Sequence, residues 1–256
     1  MAPVIKGKAG KRTGKTQSKT AHQTILTGKS PFAFVEAYKT LRTNLDFVSS
    51  ASGAKCILIT SAIPDESKST TAINLALTLA GDGHSVIVVE CDLRKPILRK
   101  YIRVPRGGKG LSALLSGNAT LDECVNALPE YGIHLIHSGA IPPNPSELLN
   151  QDRMRDLIEH LKEQYDYVLL DAPPVTVVTD AAVVGRMADG ALLVIRSRFA
   201  PARTIRLAKQ RLDTVNVKVL GAVLTRFDLK KSGWRGGYDY DGYAYGYSHS
   251  HSAKQK

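Results

Sequence analysis

The side chains with the clearest chemistry lie within residues 55–76, which read KCILITSAIPDESKSTTAINLA. An apolar run gives way to a short loop, and Lys68, Ser69 and Thr70 follow where a helical pattern begins. A strand, a loop and a helix N-terminus in this order form a cradle for nucleotide phosphates. Lys68 would reach the β- and γ-phosphates of ATP, the Ser69 hydroxyl would bind Mg²⁺, and Thr70 would meet the α-phosphate.

The loop before Lys68 departs from the usual composition of a phosphate-binding loop. Asp65 and Ser67 stand at the two positions where such loops usually carry glycine. Ser67 places a Cβ where the backbone must approach phosphate and adopt an unusual φ, and the Asp65 carboxylate would repel a triphosphate unless it points away. The alternative interpretation is a plain helix N-terminus capped by Ser or Thr beside an exposed lysine. The predicted ATP-binding loop residues are Asp65, Glu66 and Ser67.

Carboxylates follow two further apolar runs. In VIVVECDLRKP (86–96), Glu90 and Asp92 are two residues apart and therefore share one side of a strand. In YDYVLLDAPP (165–174), the apolar run leads into Asp171. Carboxylates beside a phosphate loop can hold Mg²⁺ or accept a proton. Each segment alone also fits an acidic residue entering a turn, but the three in this order reinforce one another.

The elements that must position these residues alternate along the chain between strands and helices. Three strand candidates, at 86–89, 167–170 and 191–195, are continuously apolar, as in a parallel sheet covered on both faces. We expect a doubly wound, mainly parallel α/β sheet of the P-loop NTPase type, with ligands at the carboxyl ends of its strands. The predicted strands are 55–60, 85–90, 133–137, 166–171, 190–196 and 217–225. The predicted helices are 33–48, 69–81, 152–164, 176–187 and 201–214.

Bulk properties agree with an α/β domain in a reducing compartment. The chain has 256 residues, of which 43% are apolar, enough for one large domain with a full core. No apolar run approaches the roughly 18–20 residues that span a bilayer, and the lysine-rich N-terminus lacks the apolar stretch of a secretory signal. Cys56, Cys91 and Cys124 show no paired spacing, which indicates a reducing cytosol.

Two tails flank the predicted nucleotide-binding domain at 31–229. Residues 1–30 carry seven Lys or Arg and no Asp or Glu, which predicts a disordered basic tail. That tail is either solvated or attracted to an anionic membrane face; nucleic acid is disfavoured because no aromatic residues alternate with the basic ones. Residues 230–256 predict a flexible tail. Its tyrosines include Tyr238, Tyr240, Tyr243, Tyr245 and Tyr247.

The segments SAIPDESKSTTAINLA, VIVVECDLRKP and YDYVLLDAPPV resemble the Walker A, A′ and B motifs of bacterial tyrosine kinases, a group within the ParA/MinD-like ATPases. SPFAFVEAYKTLRTNL (30–45) and SGAIPPNPSELL (138–149) resemble further segments of that family, and the tyrosine-rich tail resembles its autophosphorylation cluster. The resemblance covers residues 30–247. It implies ATP- and Mg²⁺-dependent phosphorylation of the tail tyrosines, in trans, in the regulation of capsular or exopolysaccharide synthesis.

The resemblance also implies roles for single residues. Glu90 lies where the family has its proposed base, which must accept the proton of a phenol with a pKa of about 10; as Glu it is one methylene longer than the family's Asp. Asp92 and Asp171 match the Mg²⁺-associated residues, and Lys68 would neutralise phosphate charge. Thr225 lies where the family often has Asn near the adenine.

Glu36, Lys39 and Arg42 are spaced three apart on one face of a predicted helix. They match the family's Glu-x-x-Arg-x-x-Arg motif, which joins subunits into a ring; a solvated set of i,i+3 pairs is the other interpretation. Lys39 replaces the first Arg and loses bidentate pairing. The resemblance further implies a separate membrane adaptor, a phosphotyrosine phosphatase, and a cytoplasmic location at the inner face of the membrane.

Two other functions stay open at this point. A nucleotide-dependent switch or scaffold with weak phosphotransfer is motivated by the substitutions at Asp65, Ser67 and Glu90. A partitioning-type ATPase that acts on DNA is motivated by the basic tail. The tyrosine cluster and the motif at 36–42 argue against the second of these.

Overall fold

The computed structural model of the protein describes residues 25–104 and 108–227. The strands are β1 (Cys56–Ser61), β2 (Val86–Glu90), β3 (Val125–Leu128), β4 (Ile133–Ile136), β5 (Tyr167–Asp171), β6 (Gly190–Arg196) and β7 (Val219–Thr225). The helices are α1 (Phe32–Ser52), α2 (Lys68–Ala80), α3 (Leu111–Leu115), α4 (Leu121–Cys124), α5 (Pro145–Leu149), α6 (Asp152–Gln164), α7 (Asp180–Gly185) and α8 (Ala202–Thr214). A 3₁₀ turn spans Leu98–Lys100.

Within the described residues, the strands form one sheet in the order β3-β4-β2-β5-β1-β6-β7. Neighbouring strands are parallel, except that β3 pairs antiparallel with β4 at one edge. Every residue of β1, β2 and β5 is buried, which agrees with the apolar run that makes up most of each strand. The predicted doubly wound, mainly parallel sheet is confirmed.

Helices cover both faces of this sheet. On one face, α1 and α2 pack through residues such as Leu45, Ile73 and Leu79. On the other, α6, α7 and α8 bury apolar side chains that include Ile158 and Leu212. The two apolar layers meet the two sides of each central strand, so the strand interiors are held away from water on both sides.

The predicted helices and strands differ from the observed ones mainly where an element is short or its surroundings are irregular. The helix predicted at 176–187 is shorter, Asp180–Gly185, because the residues after Pro173 and Pro174 form turns that bond back to the end of β1. The strand β3 is absent from the prediction. It has four residues and is specified by pairing with β4 rather than by a local pattern.

The described part of the chain begins at residue 25, before the predicted domain boundary at residue 31. Ile25 packs against the α1–α2 layer, and the Leu26 N–H donates to Asn74 Oδ1 at 2.9 Å. The rest of the predicted basic tail and the tyrosine-rich tail from 230 onward lie outside the described residues. In the part of the chain that the structure describes, none of the helices combines the length and apolarity that crossing a membrane demands.

The register of the central strands brings the predicted site residues to one edge of the sheet. Glu90, at the end of β2, lies opposite Asp171, at the end of β5. Asp171 also lies opposite Ile59 of β1, two residues before that strand ends and the phosphate-type loop begins. Because parallel strands all end at the same edge, that loop and the acidic residues meet there.

At the opposite edge, Asp189 holds the start of β1. Its carboxylate accepts the backbone N–H groups of Lys55 and Cys56 at 2.8 and 2.7 Å, and the Lys162 ammonium lies at 2.9 Å. Burial acts to raise the pKa of Asp189, but these hydrogen bonds and the Lys162 charge outweigh it and lower the pKa below its ordinary value. Since the folded pKa is depressed, the contribution of Asp189 to stability is present above pH 3.8 and is lost as pH falls through the folded pKa.

We predict that Asp189→Asn lowers the free energy of unfolding by about 1–2 kcal/mol at pH 7, because two backbone donors lose a charged acceptor. The difference from wild type should shrink below about pH 4. Urea unfolding across pH measures this. Asp156→Asn, at an exposed position of α6, is the control, and an equal loss in both variants at every pH would contradict the prediction.

Candidate active site

The loop between β1 and α2 holds two non-glycine residues in the left-handed region. Asp65 has a φ of 64° and Ser67 a φ of 73°. A residue with a Cβ pays roughly 1–2 kcal/mol for this conformation, which glycine avoids. The conformation therefore explains why glycine is usual at both positions. Asp tolerates it better than most residues, since a short polar side chain can bond locally.

Glu66 and Thr225 brace this loop from inside. The buried Glu66 carboxylate accepts the N–H groups of Ile63 at 2.9 Å and Arg196 at 3.2 Å. The Thr225 hydroxyl donates to the Glu66 carbonyl at 3.0 Å. Both side chains thus hold the loop to the ends of β6 and β7. Direct contact of either one with ATP, as the sequence suggests, stays a prediction.

Lys68 opens α2 and lies between two carboxylates. Its ammonium nitrogen is 3.1 Å from Asp92 Oδ2, 3.4 Å from Asp171 Oδ1 and 3.3 Å from the Ser69 hydroxyl. Burial lowers the pKa of Lys68, but the charges of Asp171 and Asp92 outweigh burial and leave the pKa above its ordinary value. Lys68 is therefore a cation with only 8% of its surface exposed, held at the N-terminus of a helix.

Asp171 is fully buried at the end of β5. Burial raises its pKa to about 6, and the opposing effects of Lys68 and Ser69 do not cancel that rise. Its Oδ2 atom has no hydrogen-bond partner among the described residues. A buried carboxylate oxygen without a donor suits a divalent cation, and with Asp92 and the Ser69 hydroxyl it forms an all-oxygen set of the kind that Mg²⁺ prefers.

Asp92 is nearly buried and sits on the loop that follows β2. Its Oδ1 accepts the Lys95 N–H at 3.0 Å, which fixes the carboxylate, while Oδ2 faces Lys68. The predicted pair of Asp92 and Asp171 is thus brought together on one ammonium group, as the sequence indicates. Thr70 lies on the first turn of α2 and donates to the Ser67 carbonyl at 3.0 Å.

Glu90 lies at the end of β2 and is held by backbone donors. The sequence predicts it as the base, but its buried carboxylate accepts three backbone N–H groups: Ile97 and Leu98 at 2.8 Å each, and Ser138 at 3.0 Å. These bonds tie the segment after β2 to the segment after β4. These contacts make Glu90 a brace, and its role as the base stays a prediction; the carboxylates that face Lys68 are Asp92 and Asp171.

An ion pair that no sequence pattern predicts lies beside the site and joins the partly exposed Arg94 to the buried Asp180. Arg94 donates through Nε and Nη2 to the Asp180 carboxylate at 2.8 and 3.1 Å, and through Nη2 to the Ser146 hydroxyl at 2.9 Å. The Ser146 hydroxyl also bonds to Asp180. One fully buried carboxylate therefore joins the Asp92 loop, α5 and α7. The signal in the sequence is weak, because Asp180 falls inside the predicted helix at 176–187.

The predicted assembly residues pair within the subunit. Lys39 bonds to Glu36 at 2.7 Å, and Arg42 bonds to Asp82 at 2.9 Å. Asp46, Asp82 and His84 also form a group with the spacing of metal ligands among the described residues. The Arg42 guanidinium already lies against the carboxylates of that group. An ion pair therefore explains why these carboxylates lie close together.

A family model described as an AAA domain matches residues 55–210. The tyrosine-protein kinase YwqD of Bacillus subtilis (strain 168) is 38% identical over 203 residues, which cover 79% of this chain and 85% of that protein. The chain belongs to the bacterial tyrosine-protein kinase family.

Two further comparisons define how much of the kinase family this chain represents. The tyrosine-protein kinase Etk of Escherichia coli (strain K12) is 38% identical over 190 residues, which are 74% of this chain and 26% of Etk. The chain thus spans about a quarter of that relative. The solved kinase domain of Escherichia coli ETK superposes with a TM-score of 0.72 at 34% identity, covering 86% of this chain and 89% of that one. This kinase-family chain therefore matches most of a solved kinase domain.

We predict that Ser67→Gly in this kinase-family chain is at least as stable as wild type, since it removes left-handed strain of roughly 1–2 kcal/mol against about 0.5–1 kcal/mol of added backbone entropy. Ser67→Val should destabilise by about 1–2 kcal/mol because a β-branched residue fits this region poorly. Urea unfolding gives both values. At Ser116, with a φ of −76°, glycine should instead destabilise the protein. If glycine destabilised the protein at both positions, the idea that Ser67 is strained would be refuted.

The Arg94–Asp180 pair should show strong coupling. Arg94→Leu leaves the buried Asp180 carboxylate without its counter-ion and should cost about 1–3 kcal/mol, because the Arg94 side chain is 40% exposed and solvent weakens the pair. Arg94→Leu combined with Asp180→Asn should recover a part of that loss, because the stranded charge is gone. A double-mutant cycle by urea unfolding measures the coupling. Additive losses would show that the two side chains act independently.

Proposed function

We propose that this chain is an ATP-dependent protein-tyrosine autokinase that phosphorylates the tyrosine segment 238–247 of a second copy. The observation that carries the proposal is Lys68, set between Asp92 and Asp171 at the start of α2. This constellation would neutralise phosphate charge and hold a divalent cation. Membership in the tyrosine-protein kinase family supports the choice of tyrosine as acceptor.

ATP would bind with its phosphates on the loop between β1 and α2. The N–H groups of the loop and the α2 N-terminus favour anions, and Lys68 would leave its carboxylates to contact the β- and γ-phosphates. Ser69, Asp92 and Asp171 would hold Mg²⁺, which when bound neutralises charge on those phosphates. The unpartnered Asp171 Oδ2 supports this set.

Transfer needs a bond from the tyrosine oxygen to the γ-phosphorus as the bond to the ADP oxygen breaks. The phenol has a pKa of about 10, so its proton must pass to a carboxylate. Glu90 is the candidate, because Asp92 would be held by Mg²⁺, and the proton would compete with the three N–H groups that Glu90 accepts. Most of the acceleration would come from positioning and charge neutralisation.

The wider role follows from the family. We place this kinase in the regulation of capsular or exopolysaccharide synthesis, at the inner face of the membrane with a separate adaptor, and opposed by a phosphotyrosine phosphatase. Copies would assemble into a ring through Glu36, Lys39 and Arg42, which requires Arg42 to exchange Asp82 for a neighbouring subunit. Residues 31–229 would be the kinase domain, between a basic tail and an acceptor tail.

A nucleotide-dependent switch with weak phosphotransfer is the second candidate. The non-glycine residues at positive φ in the phosphate loop favour it, because Asp65 and Ser67 restrict how closely the backbone can approach a phosphate. Glu90, held as a brace, favours it as well. The two candidates share ATP binding and differ in phosphotyrosine formation.

The test is incubation of the purified chain with Mg-ATP, alone and with the cytoplasmic segment of its membrane adaptor. We expect phosphotyrosine within 238–247 by mass spectrometry. Lys68→Met should lower its rate of formation by at least about 100-fold, since a preorganised cation is lost. Lys109→Met, at an exposed lysine paired with Glu123, is the matched control and should leave the rate unchanged.

The outcomes separate the two candidates. Equal absence of phosphotyrosine in wild type and Lys68→Met, with ATP still bound by wild type, would reject the kinase and favour the switch. A Lys68→Met protein as active as wild type would reject the site itself.

A further inference from the structure

One side of the described domain is strongly basic. Residues 196–227 contain eight Lys or Arg and one Asp, whereas the other described residues contain 15 Lys or Arg and 19 Asp or Glu. Positive charge is thus concentrated on the end of β6, on α8 and on the edge strand β7. A field of one sign on one surface attracts a partner of the opposite sign.

The same stretch also exposes apolar side chains. Of the eight large hydrophobic residues exposed in the described parts of the chain, half lie here: Phe199, Leu207, Leu224 and Phe227. The Arg196 guanidinium stacks on the Phe199 ring at 4.2 Å from its centroid. Arginine beside exposed aromatic rings is typical of surfaces that bind aromatic and acidic peptide segments.

The part of this surface formed by Arg196, Arg198, Phe199, Arg226 and Phe227 borders the phosphate loop, and we name it the basic rim. The backbone N–H of Arg196 donates to the Glu66 carboxylate at 3.2 Å. Thr225, the residue before Arg226, donates to the Glu66 carbonyl. A peptide held on the basic rim would therefore lie beside the site where a phosphoryl group is transferred.

The chain contains a segment of matching chemistry. Residues 238–247 read YDYDGYAYGY, with Asp239 and Asp241 between tyrosines, and no Lys or Arg occurs from 236 to 253. We propose that the basic rim binds this segment from a second copy and so selects the acceptor tyrosines. Guanidinium groups would pair with the aspartates and stack on tyrosine rings. The proposal rests on the proposed kinase function.

A consequence follows for repeated phosphorylation. Each phosphate adds roughly −1.5 to −2 charge and strong acceptor oxygens. On a basic rim, the first phosphate strengthens binding rather than weakening it. The segment then stays near the site while further tyrosines are modified, until repulsion among its phosphates competes with the rim.

The test uses the full-length protein and a fluorescent peptide of residues 236–248, with binding followed by anisotropy in low salt. Arg198→Glu combined with Arg226→Glu should weaken binding at least about tenfold, because attraction becomes repulsion. The control is Arg155→Glu combined with Lys218→Glu. It makes the same charge change on α6 and just before β7, at the far end of that strand from the basic rim, and should shift affinity by less than about twofold.

Changes to the peptide test the same contact without altering the protein. Asp239→Asn with Asp241→Asn should weaken binding by about tenfold, and phosphate on Tyr240 should tighten it by about tenfold. Equal binding of all three peptides, or equal loss in the rim and control variants, would overturn the proposal. Rim-dependent binding to phosphatidylserine vesicles without peptide binding would overturn it in favour of a lipid surface.

Autophosphorylation separates this inference from the kinase proposal. If wild type phosphorylates its tail and the rim variant does so at the same rate, the basic rim is rejected while the kinase function stands. If neither forms phosphotyrosine but the peptide still needs the rim, the kinase function fails and the peptide site stands. Unchanged circular dichroism and thermal unfolding of the rim variant would show that it is folded.

Discussion

The interaction on which the rest of the site depends is the contact of Lys68 with Asp92 and Asp171. Three charged groups lie almost out of water, and burying them is tolerated only because each is paired. Their pairing fixes where α2 begins relative to the ends of β2 and β5. The contact also places negative charge that can bind a metal ion next to positive charge that can bind phosphate.

Around that contact, backbone hydrogen bonds set the geometry more than side-chain chemistry does. Glu66 holds the strained loop to β6 and β7, and Glu90 holds the segment after β2 to the segment after β4. Asp180 draws Arg94 and α5 toward α7. Buried carboxylates thus work as fasteners because each accepts several donors. A buried carboxylate can serve as a brace or as a reactive group, and its hydrogen-bond partners decide which.

Acidic and basic side chains are separated in space around the site. The acidic residues sit inside the sheet edge, while the basic rim lies on the surface beside β6 and β7. Nucleotide chemistry uses the inner carboxylates. Recognition of an acidic, tyrosine-rich segment would use the outer arginines, so binding and transfer need not compete for the same side chains.

The sequence by itself determined the parallel sheet and the meeting of Lys68, Asp92 and Asp171, because continuous apolar strands and motif spacing are local signals with strong physical causes. Only the tertiary structure decided the hydrogen-bond partners of Glu90 and the pairing of Arg94 with Asp180. Those depend on which donors reach a carboxylate from segments about 50 to 90 residues away in sequence, and local pattern carries no information about them. The strand β3 was likewise decided by its partner, since four residues are too few to show a period.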